Sequence, residues 1–241
     1  MNKSFSITHA LLVAMLLFLT PSFANDIYIT QSGDGLDLDI TQDGANNIIG
    51  TSSTDVTLTG DTMTFAITQT GSSNTIAAII KGDTYTGTWQ FTGDSNTVDL
   101  LCSSSASGNC DTVTLNITTT GDDNTYDFDI GESADADSST VSFTVTGDNN
   151  IINTDVDGQS TALTVTLDNN SSLSTNSSNS DEGVTITTTQ SGNGDSQGMG
   201  ITLGVTGGGG TVDITQSGVN DNIVDLTIAG DDFDVDIIQR D

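Results

Sequence analysis

The chain is built from short runs in which apolar and polar residues alternate, separated by polar segments rich in Gly, Asn and Asp. The stretch 63–71 is typical, because Met63, Phe65 and Ile67 alternate with threonine and alanine before Gly71 ends the run. Strict alternation predicts a β-strand with one buried face, since successive side chains of a strand point to opposite sides. No segment has a helical period, so the pattern predicts an all-β protein.

The runs recur at a spacing of eleven residues, which is seen most regularly at Gly60, Gly71, Gly82 and Gly93. Two such units make one coil of about 22 residues, in the order strand, turn, strand, turn. A strand cannot bury its apolar face alone, but stacked coils can. We therefore predict a single β-solenoid domain over residues 25–241, with two facing parallel sheets and an amyloid-like cross-β arrangement.

The turns between strands are assigned to glycines, because glycine tolerates the positive φ of a tight reversal. Longer polar segments near 102–110, 131–140 and 168–183 are predicted to be loops inserted into the array. The predicted turn glycines are Gly33, Gly44, Gly71, Gly82, Gly93, Gly121, Gly147, Gly192 and Gly218.

Glutamine and asparagine recur in phase with the buried apolar positions. Stacked in register, their amides can bond to the coils above and below, as ladders do in amyloid. Such partners are needed because an unsatisfied buried amide costs about 1–3 kcal/mol. The alternative interpretation is that each glutamine merely flanks a turn. The predicted ladder residues are Gln31, Gln42, Asn47, Gln69, Asn74, Asn96, Asn124, Asn150, Gln190, Gln216 and Gln239.

The outward positions predict two unlike surfaces. Strands that precede a Gly-x-x-Asn turn carry mainly outward Thr and Ser, whereas strands that follow it often carry Asp. Two carboxylates about 5 Å apart in water repel by roughly 0.8 kcal/mol, so we expect acid or calcium to speed self-association. The aspartates assigned to the second group of strands are Asp37, Asp39, Asp99, Asp127, Asp129, Asp155, Asp225, Asp234 and Asp236.

The first 24 residues differ from the rest. Lys3 gives a positive start, an apolar run extends from Ala10 to Leu19, and Ala24 ends a small-residue cleavage site. This pattern predicts a signal peptide cleaved after Ala24. The run is too short to span a membrane. We therefore expect a protein that is secreted to the extracellular space or cell surface.

The net charge and the inventory of reactive side chains exclude several classes of function. The formal net charge of −30, with only three basic residues, excludes nucleic-acid binding, which needs Lys and Arg. The single histidine, His9, lies in the predicted signal peptide, so we assign no catalytic residue and no enzymatic activity. Cys102 and Cys110 are predicted to form a disulfide, with a metal site as the weaker alternative. No cofactor is expected, and calcium on the outward aspartates is the one candidate.

The phrase Gln-x-Gly-x-x-Asn, found at 42–47 and again at 69–74, resembles the repeat of curlins, the subunits of curli fibres. The spacing from Gln31 to Gln42 is also that of the family. The curlin serine before the glutamine is replaced here by Leu36 and Met63. The resemblance implies an exported subunit that forms cross-β fibres for biofilm matrix and adhesion. The partners it implies are other copies of the chain, a nucleator subunit and secretion-channel components.

Two other functions fit the pattern. One is a monomeric β-solenoid whose threonine face binds ice or a crystalline polymer, suggested by the Thr-x-Thr runs at 118–120, 164–166 and 185–189. The other is a calcium-stabilised adhesin repeat, suggested by the glycines at 207–210 and the acidic strand after them.

Overall fold

All regular elements in the described part of the chain are β-strands. The computed structural model describes residues 26–44, 47–50, 56–71, 73–102, 110–131, 138–157, 160–168, 171–178, 184–192, 199–218 and 222–240. The predicted signal peptide at 1–24, the centres of the predicted insertions near 102–110 and 131–140, and residues 169–170 and 179–183 of the third lie outside these residues. The strands are β1 (Asp26–Ile27), β2 (Thr30–Ser32), β3 (Asp37–Asp43), β4 (Ile48–Ile49), β5 (Val56–Thr59), β6 (Met63–Thr70), β7 (Thr75–Lys81), β8 (Thr84–Thr92), β9 (Thr97–Cys102), β10 (Thr112–Thr120), β11 (Thr125–Ile130), β12 (Ser138–Thr146), β13 (Ile151–Val156), β14 (Thr161–Asp168), β15 (Ser172–Ser178), β16 (Val184–Gly192), β17 (Met199–Gly207), β18 (Gly210–Gly218), β19 (Asn222–Gly230) and β20 (Phe233–Arg240).

The strands form two parallel sheets, and from β5 onward the chain passes from one sheet to the other after every strand. One sheet has nine strands in the order β20-β18-β16-β14-β12-β10-β8-β6-β3, and we call it the threonine sheet. The other eleven strands form the second parallel sheet, which runs from β1 and β2 at one end to β19 at the other. We call it the mixed sheet because its outward residues are of mixed type, and not because of its strand directions. Each coil stacks in register on the one before it. The predicted β-solenoid with two parallel sheets is therefore confirmed.

The coils are less uniform than the predicted length of about 22 residues. Successive asparagines of the stack are separated by 27, 22, 28 and 26 residues. The strands keep their register regardless of these differences, because the extra residues lie in the connections between strands. The eleven-residue period is thus a local regularity, best kept between Gly60 and Gly93.

One predicted loop is wrong. Much of the segment 168–183 forms the strand β15, which pairs with β13 and β17 in the mixed sheet. Its inward positions include Leu173 and Thr175, both buried. Only one of these is apolar, so the alternation is nearly invisible in the sequence. The strand forms because its backbone completes the ladder between two neighbours, and the hydroxyl of Thr175 bonds to that of its paired residue Thr154 on β13 at 2.8 Å.

The core is a thin layer between the sheets, with its aromatic residues gathered in the middle coils. The ring centroids of Trp89 and Phe65 are 5.9 Å apart in an edge contact, and Phe128 lies 4.9 Å from Phe143. The Trp89 indole also donates to the Phe65 carbonyl oxygen at 3.1 Å. The large rings thus pack between coils, and the indole N–H of Trp89 is satisfied by a backbone carbonyl.

Two buried tyrosines differ in how their hydroxyls are satisfied. Tyr126 donates to the Thr119 hydroxyl at 2.6 Å, whereas the hydroxyl of Tyr85 has no partner. Burial raises the pKa of both phenols well above the ordinary value for tyrosine. Gly87 makes room for the Tyr85 ring, because a Cβ added there would lie 2.6 Å from the Tyr85 hydroxyl oxygen and from Leu115 Cδ1.

Most predicted turn glycines lie in turns with a positive φ. At Gly121, φ is 145° and an added Cβ would lie 2.1 Å from the carbonyl oxygen of Gly93, one coil away. Glycine is thus required both for the turn and for the close approach of stacked turns. Gly192 and Gly218 differ from the prediction, since they are the last residues of β16 and β18 and pair with each other.

Substituting Gly121 by alanine should destabilise the solenoid by more than about 1 kcal/mol, because alanine is strained at this φ and clashes with the neighbouring turn. Gly200 is the matched control, since a Cβ added there meets no atom within 4 Å. Gly200→Ala should be neutral or stabilising by up to about 1 kcal/mol. Denaturant unfolding of the monomer measures both, and equal effects would contradict the proposed turn packing.

Candidate functional site: amide ladders and the two ends of the stack

A ladder of asparagines follows one corner of the solenoid. The backbone N–H of Asn74 donates to Oδ1 of Asn96 at 2.9 Å, and the N–H of Asn96 donates to Oδ1 of Asn124 at 2.7 Å. The same bond joins Asn47 to Asn74 at 3.1 Å and Asn124 to Asn150 at 3.0 Å. All five side chains are buried, and the backbone N–H of each of the first four asparagines finds its acceptor on the next coil.

The asparagine side chain also closes its own turn. Nδ2 of Asn96 donates to the carbonyl oxygen of Gly93 at 2.7 Å, and Asn74 makes the same bond to Gly71 at 3.2 Å. In the turns at 71–74 and 93–96, the glycine thus supplies the positive φ and the asparagine closes the turn. Nδ2 of Asn124 donates instead to Asn150, and Nδ2 of Asn150 donates to the Gly121 carbonyl oxygen of the neighbouring coil. The repeat therefore has a structural cause at the level of single hydrogen bonds.

Sequence reasoning missed the residue that continues this ladder. The backbone N–H of Asn150 donates to Ser171 Oγ at 3.3 Å, and that hydroxyl donates to the Gly147 carbonyl oxygen at 3.2 Å. Ser171 therefore replaces the asparagine of the repeat. Its position just before β15 could have identified it only if β15 itself had been recognised.

The glutamines form two separate ladders, one near each end of the threonine sheet. Gln69 Nε2 donates to Gln42 Oε1 at 2.7 Å at one end. At the other end, Gln216 donates to Gln190 at 3.1 Å and Gln239 donates to Gln216 at 2.8 Å. In every pair the later coil donates and the earlier coil accepts.

The middle of this column lacks glutamine. In the coils between Gln69 and Gln190, the same position is held by Phe91, Thr119, Val145 and Leu167. The Oε1 atom of Gln69, which faces this apolar stretch, is buried without a hydrogen-bond partner. The glutamine ladder is therefore a property of the two ends of the stack and not of its centre.

Gln31 lies outside the glutamine ladder although its spacing to Gln42 fits the family repeat. It belongs to the mixed sheet, where it pairs with Leu58 at the head of an apolar column. Its Nε2 donates to the Gly33 carbonyl oxygen at 2.8 Å, within its own turn. The eleven-residue spacing links strands of opposite sheets, which face each other and do not pair.

The aspartates that follow the turn glycines bond to the next coil, which the sequence did not reveal. The backbone N–H of Asp122 donates to Asp94 Oδ1 at 2.9 Å, and that of Asp148 donates to Asp122 Oδ1 at 2.7 Å. Asp34 and Asp61 are joined in the same way at 3.1 Å. These carboxylates tie successive turns together at the solvent-exposed edge of the stack.

The outward face of the threonine sheet is a regular array of hydroxyl groups. One column runs through paired residues from β3 to β20. That column reads Asp37, Thr64, Thr86, Thr114, Thr140, Ala162, Thr185, Thr211 and Asp234. A second column on the same strands reads Thr41, Thr68, Gln90, Thr118, Thr144, Thr166, Thr189, Thr215 and Ile238.

Four outward aspartates lie in a different sheet from the one predicted. Asp37 and Asp39 belong to β3, and Asp234 and Asp236 belong to β20, so all four are on the terminal strands of the threonine sheet. The alternation of Asp with apolar residues identified their outward direction but not their sheet. In the mixed sheet, Asp127 pairs with Asp99 and Asp129 with Asp155, as expected for stacked strands.

Both ends of the solenoid leave core positions only partly covered. Val235 and Ile237 of β20 pair with the buried Val212 and Ile214 of β18 but are themselves 40% and 43% exposed. At the other end, Leu38 of β3 is only half-buried. Side chains that fill the core elsewhere thus reach solvent at the ends.

Cys102 and Cys110 form a disulfide with their Cα atoms 5.9 Å apart. Both residues are buried, and Cys102 occupies a core position of β9 between Ile80 and Ile130 of the adjacent coils. The bond closes the base of the inserted segment, whose residues 103–109 lie outside the described part of the chain.

Two further features bear on function. Across the described ranges, no three His, Cys, Asp or Glu side chains are grouped so that they could hold a metal ion. Nor does any described segment form an apolar helix of membrane-spanning length. Comparison of the chain with protein-family models, curated proteins and solved structures found no match in any of the three.

Replacing Asn96 by alanine should cost about 1–3 kcal/mol, because the buried N–H of Asn74 and the carbonyl of Gly93 lose their partners. Asn116→Ala is the control, since Asn116 is exposed on β10 and should change stability by less than about 0.5 kcal/mol. Urea unfolding of the monomer gives both values. A cost for Asn96→Ala no larger than that of the control would refute the ladder as a stabilising element.

Proposed function

We propose that this chain is a secreted structural subunit that assembles end to end into curli-like extracellular amyloid fibres for biofilm matrix and surface adhesion. Its main partner is another copy of itself. A nucleator subunit and secretion-channel components are the further partners that the curlin resemblance implies. The observation that carries the proposal is that strand edges are unpaired and core side chains are partly exposed at the two ends of the solenoid.

The terminal strands present hydrogen-bonding edges. Among the described strands of the threonine sheet, β3 and β20 each pair on one side only, and β1, β2 and β19 do so in the mixed sheet. An unpaired strand edge is a template for another strand. Because all pairs in the stack are parallel, a further coil can add with the same geometry as the coils already present.

The side chains at the ends support the same assembly. The half-exposed Val235 and Ile237 would be covered by a further coil, as Val212 and Ile214 are covered by β20. Burial of apolar area stabilises by roughly 25 cal/mol per Å². The glutamines at each end add amide partners of the kind that stack in amyloid.

Placing carboxylates in the terminal core positions should block assembly while leaving the fold intact. In the double variant Val235→Asp/Ile237→Asp, we expect fibre growth to fall by more than about tenfold, because unpaired charges in a closed joint cost several kcal/mol. Electron microscopy and dye binding of residues 25–241 measure growth.

The control for this experiment carries the same added charge on an outward face. Thr118→Asp/Thr166→Asp places two carboxylates on β10 and β14, where both threonines are exposed. This variant should still form fibres. If the unsubstituted chain itself stays monomeric, the proposed function is wrong.

The threonine array favours one second function, the binding of an ordered surface such as ice by the monomer. The two hydroxyl columns described above are exposed or partly exposed and free of charge between their ends. A chain that stays monomeric and lowers the freezing point of water relative to its melting point would support this function in place of fibre formation.

A further inference from the structure

A joint between two copies of the chain exists only if the proposed fibre-forming function holds. We propose that copies join in continuous register, with β20 of one copy beside β3 of the next, and that the outward aspartates of these two strands control the joint electrostatically. The partner is thus a second copy of this chain, and the site exists only when both copies contribute to it.

The register of the joint follows from columns that run through the whole threonine sheet. Unbroken pairing from β3 to β20 assigns residues 234–239 of β20 counterparts at 37–42 of β3 in the same columns. Continuing the stack places like residues together on the inward side. The inward pairs in these columns are Val235 with Leu38, Ile237 with Ile40, and Gln239 with Gln42, and the next inward positions before them are Phe233 and Leu36.

Other registers are less favourable. A slip by one residue would turn the aspartates of one strand toward the core, because side chains alternate along a strand. A slip by two residues keeps most apolar residues together but places Gln42 opposite Ile237. Oε1 of Gln239 would then lose the amide donor that the continued ladder offers it, and an unsatisfied buried amide oxygen is costly. The glutamine therefore selects between registers that the apolar residues alone would tolerate.

The direction of the glutamine bonds matches head-to-tail joining. Gln239 donates to Gln216 and Gln216 donates to Gln190, so Oε1 of Gln239 faces the open end of the stack. In the next copy, Gln42 accepts from Gln69. At the joint, Gln42 takes the place of the next residue in the ladder, which would donate to Oε1 of Gln239. Joining converts a ladder of three and a ladder of two into one ladder of five.

The outward side of the same joint brings like charges together. The shared columns place Asp234 beside Asp37 and Asp236 beside Asp39, while Arg240 comes beside Asp43. Asp213 of β18, which pairs with Asp236, adds a further negative charge. Within the adjacent β6, the outward residues facing β3 are Thr64, Ala66, Thr68 and Thr70, which are uncharged.

These charges are placed where they oppose joining more than folding. Within one copy, Asp37 stacks on Thr64 and Asp234 stacks on Thr211, so the monomer separates the two carboxylates by the whole length of the sheet. Charges on edge strands are a known protection against strand addition. Salt screens such exposed pairs, so the unsubstituted chain should extend fibres faster as ionic strength rises.

Single cysteines test the register directly. Thr41 and Ile238 share one outward column, and paired residues of neighbouring strands are close enough for a disulfide. Fibres grown from a mixture of Thr41→Cys and Ile238→Cys chains should cross-link into heterodimers under mild oxidation. Neither variant alone should cross-link within its fibre. Cross-linking of Ile238→Cys chains with each other would indicate a tail-to-tail joint and overturn the proposal.

Charge reversal tests the control of the joint. Asp234→Lys/Asp236→Lys converts repulsion into attraction, so elongation at low salt should rise by about tenfold or more. Added salt should then slow it. Adding Asp37→Lys/Asp39→Lys to the same chain should restore slow growth, because β3 and β20 then both carry positive charges at the joint and repel again.

The matched control is Asp99→Lys/Asp127→Lys, which makes the same charge change on stacked strands of the mixed sheet, away from the joint. An equal acceleration by this control would overturn the electrostatic proposal. Circular dichroism of each monomer verifies folding, and the salt dependence of the unsubstituted chain tests the same point without substitution. Fibres that lack the Thr41–Ile238 cross-link refute the joint alone, whereas absence of fibres refutes the proposed function.

Discussion

Every coil of this protein depends on the next coil for its hydrogen bonds. The backbone of each strand bonds to strands in adjacent coils, and the Asn96 side chain accepts from Asn74 while its own N–H needs Asn124. A coil in isolation would leave these groups unsatisfied, at about 1–3 kcal/mol for each buried group. The same requirement that holds the interior together leaves the two ends incomplete, and assembly is the direct way to complete them.

The sequence predicts the parts of this architecture that repeat locally. Alternation in stretches such as 63–70 and the Gly-x-x-Asn turn predict strands, turns and the asparagine ladder without reference to the structure. Residues whose role depends on a distant coil were harder to identify. Gln31 has the expected spacing but lies in the opposite sheet, and Ser171 has the wrong residue type yet occupies an asparagine position. Pairing across 21 to 28 residues, with variable connections, is not encoded by any single short phrase.

Charge has two structural roles that composition cannot separate. Asp94 and Asp122 accept backbone hydrogen bonds at stacked turns, so they support the stack despite their repulsion. Asp37 and Asp234 instead lie on the outermost strands of the threonine sheet, at opposite ends. A net charge of −30 is therefore not simply a solubility feature. In the proposed assembly, its distribution makes the ends of the monomer repel until the apolar and amide pairs of the joint form.

The measurement that tests this account most directly is the axial repeat of the fibre, determined by cryo-electron microscopy. If copies join in continuous register, the nine strands of the threonine sheet must continue into the next nine without a gap. Each subunit would then advance the fibre by nine strand spacings, about 43 Å for a spacing of about 4.8 Å. Density for Gln239 beside Gln42 at every subunit boundary would complete the predicted result. A repeat clearly longer than this, or a boundary at which β20 and β3 do not pair, would contradict the account.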